Sequence, residues 1–259
     1  MRADLYLARE GYAASRTLAQ KLIACGAVTL DGRVLSRASE DIPEGTHTVC
    51  VAETEETRYV GRGGLKLEAA LDAFGVTVEG ATVADIGAST GGFTHCLLER
   101  GAARVFAVDA GHDQLHSRLR ADARVRVAEG VNARYLTPQD LVSLEADIGG
   151  EASFDGLCDG CVMDVSFISQ TLLHPALASI LRPGGWFISL IKPQFELERR
   201  HLDKRGVVRE EKHRAAALAR VLESARACGF IHVATIPSPI EGGDGNRELL
   251  ACFRRESHN

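Results

Sequence analysis

Residues 83–93 read VADIGASTGGF, and the fold is decided there. An apolar run reaches Asp85, a loop carrying Gly87, Gly91 and Gly92 follows, and a helical pattern takes over. A strand that turns through glycines into a helix lets the backbone come close to a ligand at the carboxyl end of that strand. No Gly-Lys-Ser/Thr follows, so the stretch is not a triphosphate loop, and its glycines are not spaced GxGxxG. About twenty residues on, RVFAVD (104–109) ends a second strand in Asp109, an acid able to accept hydrogen bonds from both hydroxyls of a ribose. A third strand, in VRVAEGVNAR (125–134), leads to Asn132, a candidate adenine contact. Glycine loop, acid and polar residue in that order suit S-adenosylmethionine. The candidate cofactor residues are Asp85, Gly87, Ser89, Thr90, Gly91, Gly92, Phe93, Asp109 and Asn132. NAD competes but usually wants GxGxxG, and a tight turn with no ligand is the bland alternative.

Outward from this loop the pattern repeats. Strands are expected at 82–86, 104–109, 125–128, 161–166, 186–191, 232–236 and 249–253, and helices at 64–74, 92–100, 112–121, 170–181 and 210–228. Such alternation predicts a doubly wound, Rossmann-like α/β sheet of seven strands. The last two strands are joined by PSPIEGGDGNR (237–247) alone, which predicts a closing antiparallel hairpin. Before residue 58 the pattern differs. Helices at 3–10 and 15–25, with Ser15 as N-cap and Gly26 as stop, precede a small hairpin turning at Asp31-Gly32. Residues 38–57 are polar and acidic, with ETEE at 53–56. Three segments are therefore expected: a small α/β domain at 1–57, a linker at 58–63, and the large domain at 64–259.

Of 259 residues, 45% are hydrophobic and 25% charged, which excludes a disordered chain. No apolar run is long enough to span a membrane, and the charged N-terminus lacks a signal core, so a cytoplasmic protein without a membrane partner is expected. Seven scattered cysteines read as reduced thiols. Cys158 and Cys161 form a CxxC with no second pair, and His112 and His116 lack the Glu of HExxH, so no metal is expected. The net charge is −5, yet residues 1–37 carry six basic against three acidic residues and 199–214 carry seven against three. These islands suggest an anionic partner such as RNA, with Arg2, Arg16, Lys21, Arg199, Arg200, Lys204 and Arg205 as candidate contacts; ordinary solvated faces are the alternative. The segment after residue 198 is expected to order over RNA.

Basic residues here are Arg by default, with 25 Arg and five Lys. Arg cannot give up its proton and a buried Lys can, so Lys66 and Lys192 stand out. Asp164 in MDVSF and Lys192 in IKPQFE end adjacent strands, whose carboxyl ends line one crevice of an open sheet. Lys66 precedes the first strand and Glu248 opens the last.

Together YVGRGGLKL, DIGASTGGFT, MDVSFIS, IKPQFE, GVVR and GNRE resemble the TlyA family of rRNA 2′-O-methyltransferases, a branch of the FtsJ-like methyltransferases. LYLAREGYAASRTLAQKLIACGAVTLDGRVL (5–35) resembles the small RNA-binding domain named after ribosomal protein S4. The resemblance implies a Lys-Asp-Lys-Glu tetrad, matched residue by residue by Lys66, Asp164, Lys192 and Glu248. It also implies S-adenosylmethionine as cofactor and cytidine in ribosomal RNA, free or in subunits, as substrate. The chain departs from the family at His95, where Asp is common, and at AGHDQLH (110–116), where an aromatic residue is usual near His112.

Methyl transfer to a ribose hydroxyl is an in-line displacement by a poor nucleophile, whose proton must be taken or its oxyanion stabilised. A free lysine, with pKa about 10.4, cannot accept a proton; a neighbouring lysine and partial burial lower that value. Lys192 is therefore expected to be base or oxyanion stabiliser, with Lys66 tuning it and Asp164 and Glu248 orienting both amines. Three other readings remain. Relatives are often labelled haemolysins, but no cationic amphipathic helix supports a membrane-active protein. A non-catalytic RNA-binding protein would not need all four tetrad positions. A small-molecule methyltransferase would not need the N-terminal domain. A monomer is the expected active form.

Overall fold

A computed structural model describes every residue except 14, 53, 55–57, 152, 243–244 and 258–259. The chain divides into two compact units, Met1–Arg58 and Tyr59–Asn259.

In the first unit, helices α1 (Ala3–Arg9) and α2 (Arg16–Ala24) accompany an antiparallel sheet of β1 (Val28–Leu30), β2 (Arg33–Val34) and β3 (Val49–Val51), in the order β2-β1-β3. Ser15 caps α2 by accepting the Leu18 N–H at 3.2 Å. The turn residues Asp31 and Gly32 both have positive φ, 50° and 80°, as a two-residue hairpin requires. Sequence reading misses β3, which lies in the segment read as polar and acidic. It is held from outside: the Asp31 carboxylate accepts the Thr48 N–H at 2.8 Å and pairs with His47 Nδ1 at 2.7 Å. Leu7, Leu22, Ile23, Val28, Leu35 and Ile42 fill the core beneath. Of ETEE (53–56), only Thr54 falls among the described residues.

The second unit begins with α3 (Gly63–Phe74). It continues β4 (Thr82–Ile86), α4 (Gly92–Glu99), β5 (Arg104–Asp109), α5 (Ser117–Arg120), β6 (Val125–Glu129), α6 (Pro138–Ala146), β7 (Cys158–Met163), α7 (His174–Ile180), β8 (Leu181–Ile191), α8 (Pro193–Glu196), α9 (Glu211–Ala227), β9 (Phe230–Pro237) and β10 (Leu249–Arg255). The sheet order is β6-β5-β4-β7-β8-β10-β9. Strands β4 to β8 run parallel, and β10 is antiparallel to both neighbours. The expected closing hairpin is present. Its second strand sits inside the sheet because Leu250, Ala251, Cys252 and Phe253 are all buried, whereas Ile231 and Val233 of edge strand β9 are half exposed.

Successive strand residues enter two different cores. Val83, Val105, Val162 and Ile188 pack with residues of α3 and α4, while Ala84, Phe106, Cys161 and Phe187 pack with residues of α7 and α9. Buried on both faces, these strands read as continuous apolar runs. Trp186 is a core residue, lying where a Cβ on Gly160 would meet its ring at 2.2 Å. Burial pushes the Cys158 and Cys161 thiols far up, as expected of core cysteines.

Several expected elements shift. The helix expected at 112–121 shrinks to α5. Residues 113–115 instead wrap the Glu129 carboxylate, which accepts the N–H groups of Asp113, Gln114 and Leu115 at 2.9–3.0 Å. Helix α6 is absent from the expected set, although its capping box is legible. Thr137 accepts the Asp140 N–H and Asp140 accepts the Thr137 N–H. The 170–181 helix splits into a 3₁₀ turn, Gln170–Leu172, and α7. Strand β7 starts at Cys158 and ends at Met163, and β8 starts at Leu181. The expected linker is no linker from residue 59 on. Tyr59 is buried, its ring edge-on to His95 at 5.4 Å, and Gly64 is needed because a Cβ there would meet the Tyr59 ring at 2.2 Å. Among the described residues no helix is long and apolar enough to cross a membrane.

Candidate active site

Strand order brings the tetrad together. β4, β7, β8 and β10 are successive neighbours. Asp164 follows β7 directly, and its N–H is donated to the carbonyl of Ile86 at the end of β4. Lys192 follows β8. Because β10 runs antiparallel, with Leu249 opposite Ile191, Glu248 enters the sheet at the edge where Lys192 leaves it. Lys66 reaches the same edge from the first turn of α3.

The four residues form two ion pairs. Lys66 Nζ donates to Glu248 Oε2 at 2.5 Å, and both side chains are buried. Lys192 Nζ lies 2.6 Å from Asp164 Oδ1 and donates to Ser166 Oγ at 2.8 Å. The Lys192–Asp164 approach is an ion contact out of line for a hydrogen bond, so Asp164 Oδ1 keeps an unused acceptor.

Two clefts adjoin at this pair. One, of 360 Å³, runs over the ends of β4, β5 and β6 and is lined by Ser89, Asp109, Gln114, Asn132 and the apolar Val108 and Val131. The other, of 190 Å³, is lined by Arg62, Thr90, Phe93 and Lys192. Gly87, Ser89, Asp164 and Ser166 belong to both. The junction lies between β5 and β7 across β4, where strand order reverses, the usual ligand position in an open sheet. Asp109 accepts the Ser89 and Gly111 N–H groups at 2.8 and 2.7 Å, which shapes the first cleft. Asn132 caps a 3₁₀ turn by accepting the Arg134 N–H.

The glycines make close approaches within the protein as well as beside the clefts. A Cβ on Gly87 would meet the Asp164 carbonyl oxygen at 2.6 Å, on Gly91 the Leu119 side chain at 2.2 Å, and on Gly92 the backbone of Gly61 and Gly64 at 3.1 Å. All three make room for protein, and Gly87 and Gly92 also line clefts. Asp85 needs correction as a direct cofactor contact. It is fully buried, accepts the Thr94 hydroxyl at 2.6 Å, and lines neither cleft. Burial pushes its carboxyl up to about 7. Phe93 is buried against Gly63. His95, the departure from the family pattern, accepts the Val60 N–H at 3.3 Å, and burial lowers its pKa. His112 lies against Gly130, where a Cβ would meet its ring at 2.3 Å.

Sequence reading takes one residue from each tetrad motif and misses partners beside them. Ser166 holds Lys192. Phe167 is 92% exposed with φ +65°, a strained conformation for a bulky residue, and its ring lies 5.2 Å from that of Phe195. Glu196 of KPQFE, buried, accepts Ser169 Oγ at 2.5 Å and the Gln170 N–H at 2.9 Å, tying the two motifs together. The motif letters are visible in the sequence, but the backbone strain has no sequence signal.

A model of the FtsJ-like methyltransferases matches residues 59–255, and one of the S4 domain matches residues 1–47. The chain belongs to the FtsJ-like methyltransferases. This methyltransferase is 40% identical over 253 residues to Hemolysin A of Brachyspira hyodysenteriae, covering 98% of this chain and 99% of the relative. It is 38% identical over 256 residues to the 16S/23S rRNA (cytidine-2'-O)-methyltransferase TlyA of Mycobacterium tuberculosis, covering 99% and 90%. A solved structure described as "Putative hemolysin from Streptococcus thermophilus" superposes with a TM-score of 0.74 at 39% identity, covering 99% of this chain and 89% of that one.

In the first unit, Arg2 and Arg16 converge on Asp4. Its carboxylate, fully buried, accepts from Arg2 at 3.1 Å, Arg16 at 2.9 Å and Gln20 at 2.7 Å. Both arginines remain about half exposed, and Lys21 is exposed on α2. Of the second basic island, Arg199 and Arg200 sit on a 3₁₀ turn, and Lys204 and Arg205 are exposed beyond it. The segment expected to order over RNA is folded by its own contacts. Asp203 accepts the N–H groups of Arg205 and Val207 and the Arg209 Nε–H at 2.8–2.9 Å.

Proposed function

We propose that this methyltransferase moves a methyl group from S-adenosylmethionine to the 2′-hydroxyl of a cytidine ribose in ribosomal RNA. Lys192 carries the proposal: one ammonium at the junction of two clefts, held by a carboxylate and a hydroxyl. The named cytidine-2′-O-methyltransferase relative supports the choice of substrate.

The 360 Å³ cleft fits the cofactor by its chemistry. Asp109 retains acceptor capacity for ribose hydroxyls after its two backbone bonds, Asn132 offers a polar edge, and Val108 and Val131 an apolar wall. S-adenosylmethionine supplies an electrophilic sulfonium methyl group when bound. The 190 Å³ cleft then receives the ribose. Ser166 engages one N–H of the Lys192 ammonium and Asp164 holds its charge, which leaves an N–H to donate to the 2′-oxygen as its proton departs. The unused acceptor of Asp164 Oδ1 is the nearest group on which that proton can rest. Phe167 offers a face on which a base can stack. Lys66 and Glu248 fix α3 against the start of β10 and so hold the second cleft.

RNA is engaged by Arg2, Arg16 and Lys21 of the S4 domain and by Arg199, Arg200, Lys204 and Arg205, through phosphates that position without specifying sequence. A monomer in the cytoplasm is the proposed active form, since all four tetrad residues come from one chain. The test is site-resolved mass spectrometry of ribosomal RNA from cells lacking the gene, complemented with wild type or Lys192→Ala. A ribose methyl group restored by wild type alone supports the function; an unchanged map in the deletion strain overturns it.

A further inference from the structure

Away from the tetrad, a groove of 430 Å³ is lined by Arg205, Arg209, Arg214, Arg247 and one carboxylate, Glu241. Its walls are built. Arg209 is held by Asp203 at 2.8 Å, and Arg214 by Glu211 and the carbonyls of Val208 and Arg209. Arg205 and Arg247 are exposed and, among the described residues, neither has a carboxylate partner. Asn246 joins the two loops that carry them. It is buried, its Oδ1 accepts the Val208 N–H at 2.9 Å, and its Nδ2 donates to the Gly206 carbonyl at 3.1 Å. Thus the 203–209 loop is stapled to the segment that enters β10, two residues before Glu248.

We propose that Arg205 and Arg247 seat a backbone phosphate of the RNA strand that carries the target ribose, with Asn246 as the positioning residue that fixes their spacing. The proposal rests on the RNA methyltransferase reading and deepens it. Guanidiniums present a fixed fork of donors that matches phosphate oxygens, and here two of them line a single groove whose one described carboxylate, Glu241, pairs with neither. A phosphodiester is favoured over a free anion because Arg247 adjoins Glu248 in the chain, so a strand that offers its ribose at the tetrad continues past the groove. Asn246 and Arg247 thereby couple strand position to the tetrad through one short segment.

The test uses the full chain, a mixed-sequence single-stranded RNA oligonucleotide and fluorescence anisotropy over a range of salt concentrations. The Arg205→Ala/Arg247→Ala variant is expected to lower the slope of log affinity against log salt by about 0.7 for each phosphate it no longer neutralises. Its KM for RNA is expected to rise several-fold. Arg205→Lys/Arg247→Lys keeps the charge and is expected to restore the slope, which a merely structural defect would not allow. An unchanged slope in the alanine variant overturns the phosphate seat, whatever the activity. A lowered slope in a protein that methylates no RNA keeps the seat and overturns the methyltransferase reading instead.

Discussion

The two lysine–carboxylate pairs of the second unit share one chemistry and differ in surroundings. Lys66 and Glu248 are 10% and 3% exposed and line neither cleft. Lys192 and Asp164 are 13% and 23% exposed, and both line the smaller cleft. A pair that meets solvent can exchange a proton with a substrate. A pair enclosed by protein holds two elements together, and removing one partner leaves a buried charge uncompensated. We propose that Lys192 and Asp164 are the working pair and Lys66 and Glu248 a strut.

The largest effect expected from breaking this contrast is on turnover. Lys192→Ala should lower kcat by about 10²–10³-fold, the range for loss of a positioned oxyanion donor, while S-adenosylmethionine still binds by calorimetry. Lys192→Arg sharpens the point: it keeps charge without titrating, so appreciable methylation by that variant would favour oxyanion stabilisation over proton acceptance. Lys66→Met should act on folding first, costing about 3–5 kcal/mol in urea unfolding. Lys66→Met/Glu248→Leu should regain most of that loss, and a double variant no more stable than the single one would show that the pair is not a strut.

A second contrast follows the same logic with two fully buried carboxylates. Asp4 receives Arg2, Arg16 and Gln20, which hold its carboxyl well below the usual range. Asp85 receives Thr94 on one oxygen and nothing on the other, so burial wins and its carboxyl is pushed up to about 7. Partners and depth together set the sign: Asp4 is held by its donors, whereas burial outweighs the Thr94 bond at Asp85. Asp4→Ala should destabilise the first unit by about 1–3 kcal/mol and weaken RNA binding, because Arg2 and Arg16 lose their common anchor. The wild-type contribution of Asp4 is present above the ordinary aspartate pKa and lost as pH falls below it, so the variant should flatten acid unfolding followed by circular dichroism. Asp85 behaves oppositely. Its folded pKa is raised, so its contribution is full below about pH 4 and declines as pH rises to about 7. Asp85→Asn should remove that decline from a plot of Tm against pH, the smallest effect of the set; a decline that persists would assign it to another group.

Much is legible before any coordinates. Alternating apolar runs and glycine turns mark the strands because, in a sheet covered on both faces, burial leaves no choice of residue. What goes unread depends on groups far apart in sequence. Residues 112–116 look helical, but the Glu129 carboxylate captures the N–H groups a helix would have used. Strand β3 is held by Asp31 from seventeen residues away in the chain, and Tyr59 leaves the expected linker because an aromatic ring finds a glycine to pack on.

The residue types of the site follow from the sequence, since scarce lysines and acids at strand ends can be counted there. Their division of labour does not. The antiparallel insertion of β10 brings Glu248 to the edge where Lys192 leaves β8. Ion pairing then commits Glu248 to Lys66 and Asp164 to Lys192. Local patterning specifies which segments are strands and which chemistry they carry; only packing in three dimensions determines which charges end enclosed and which stay open to a substrate.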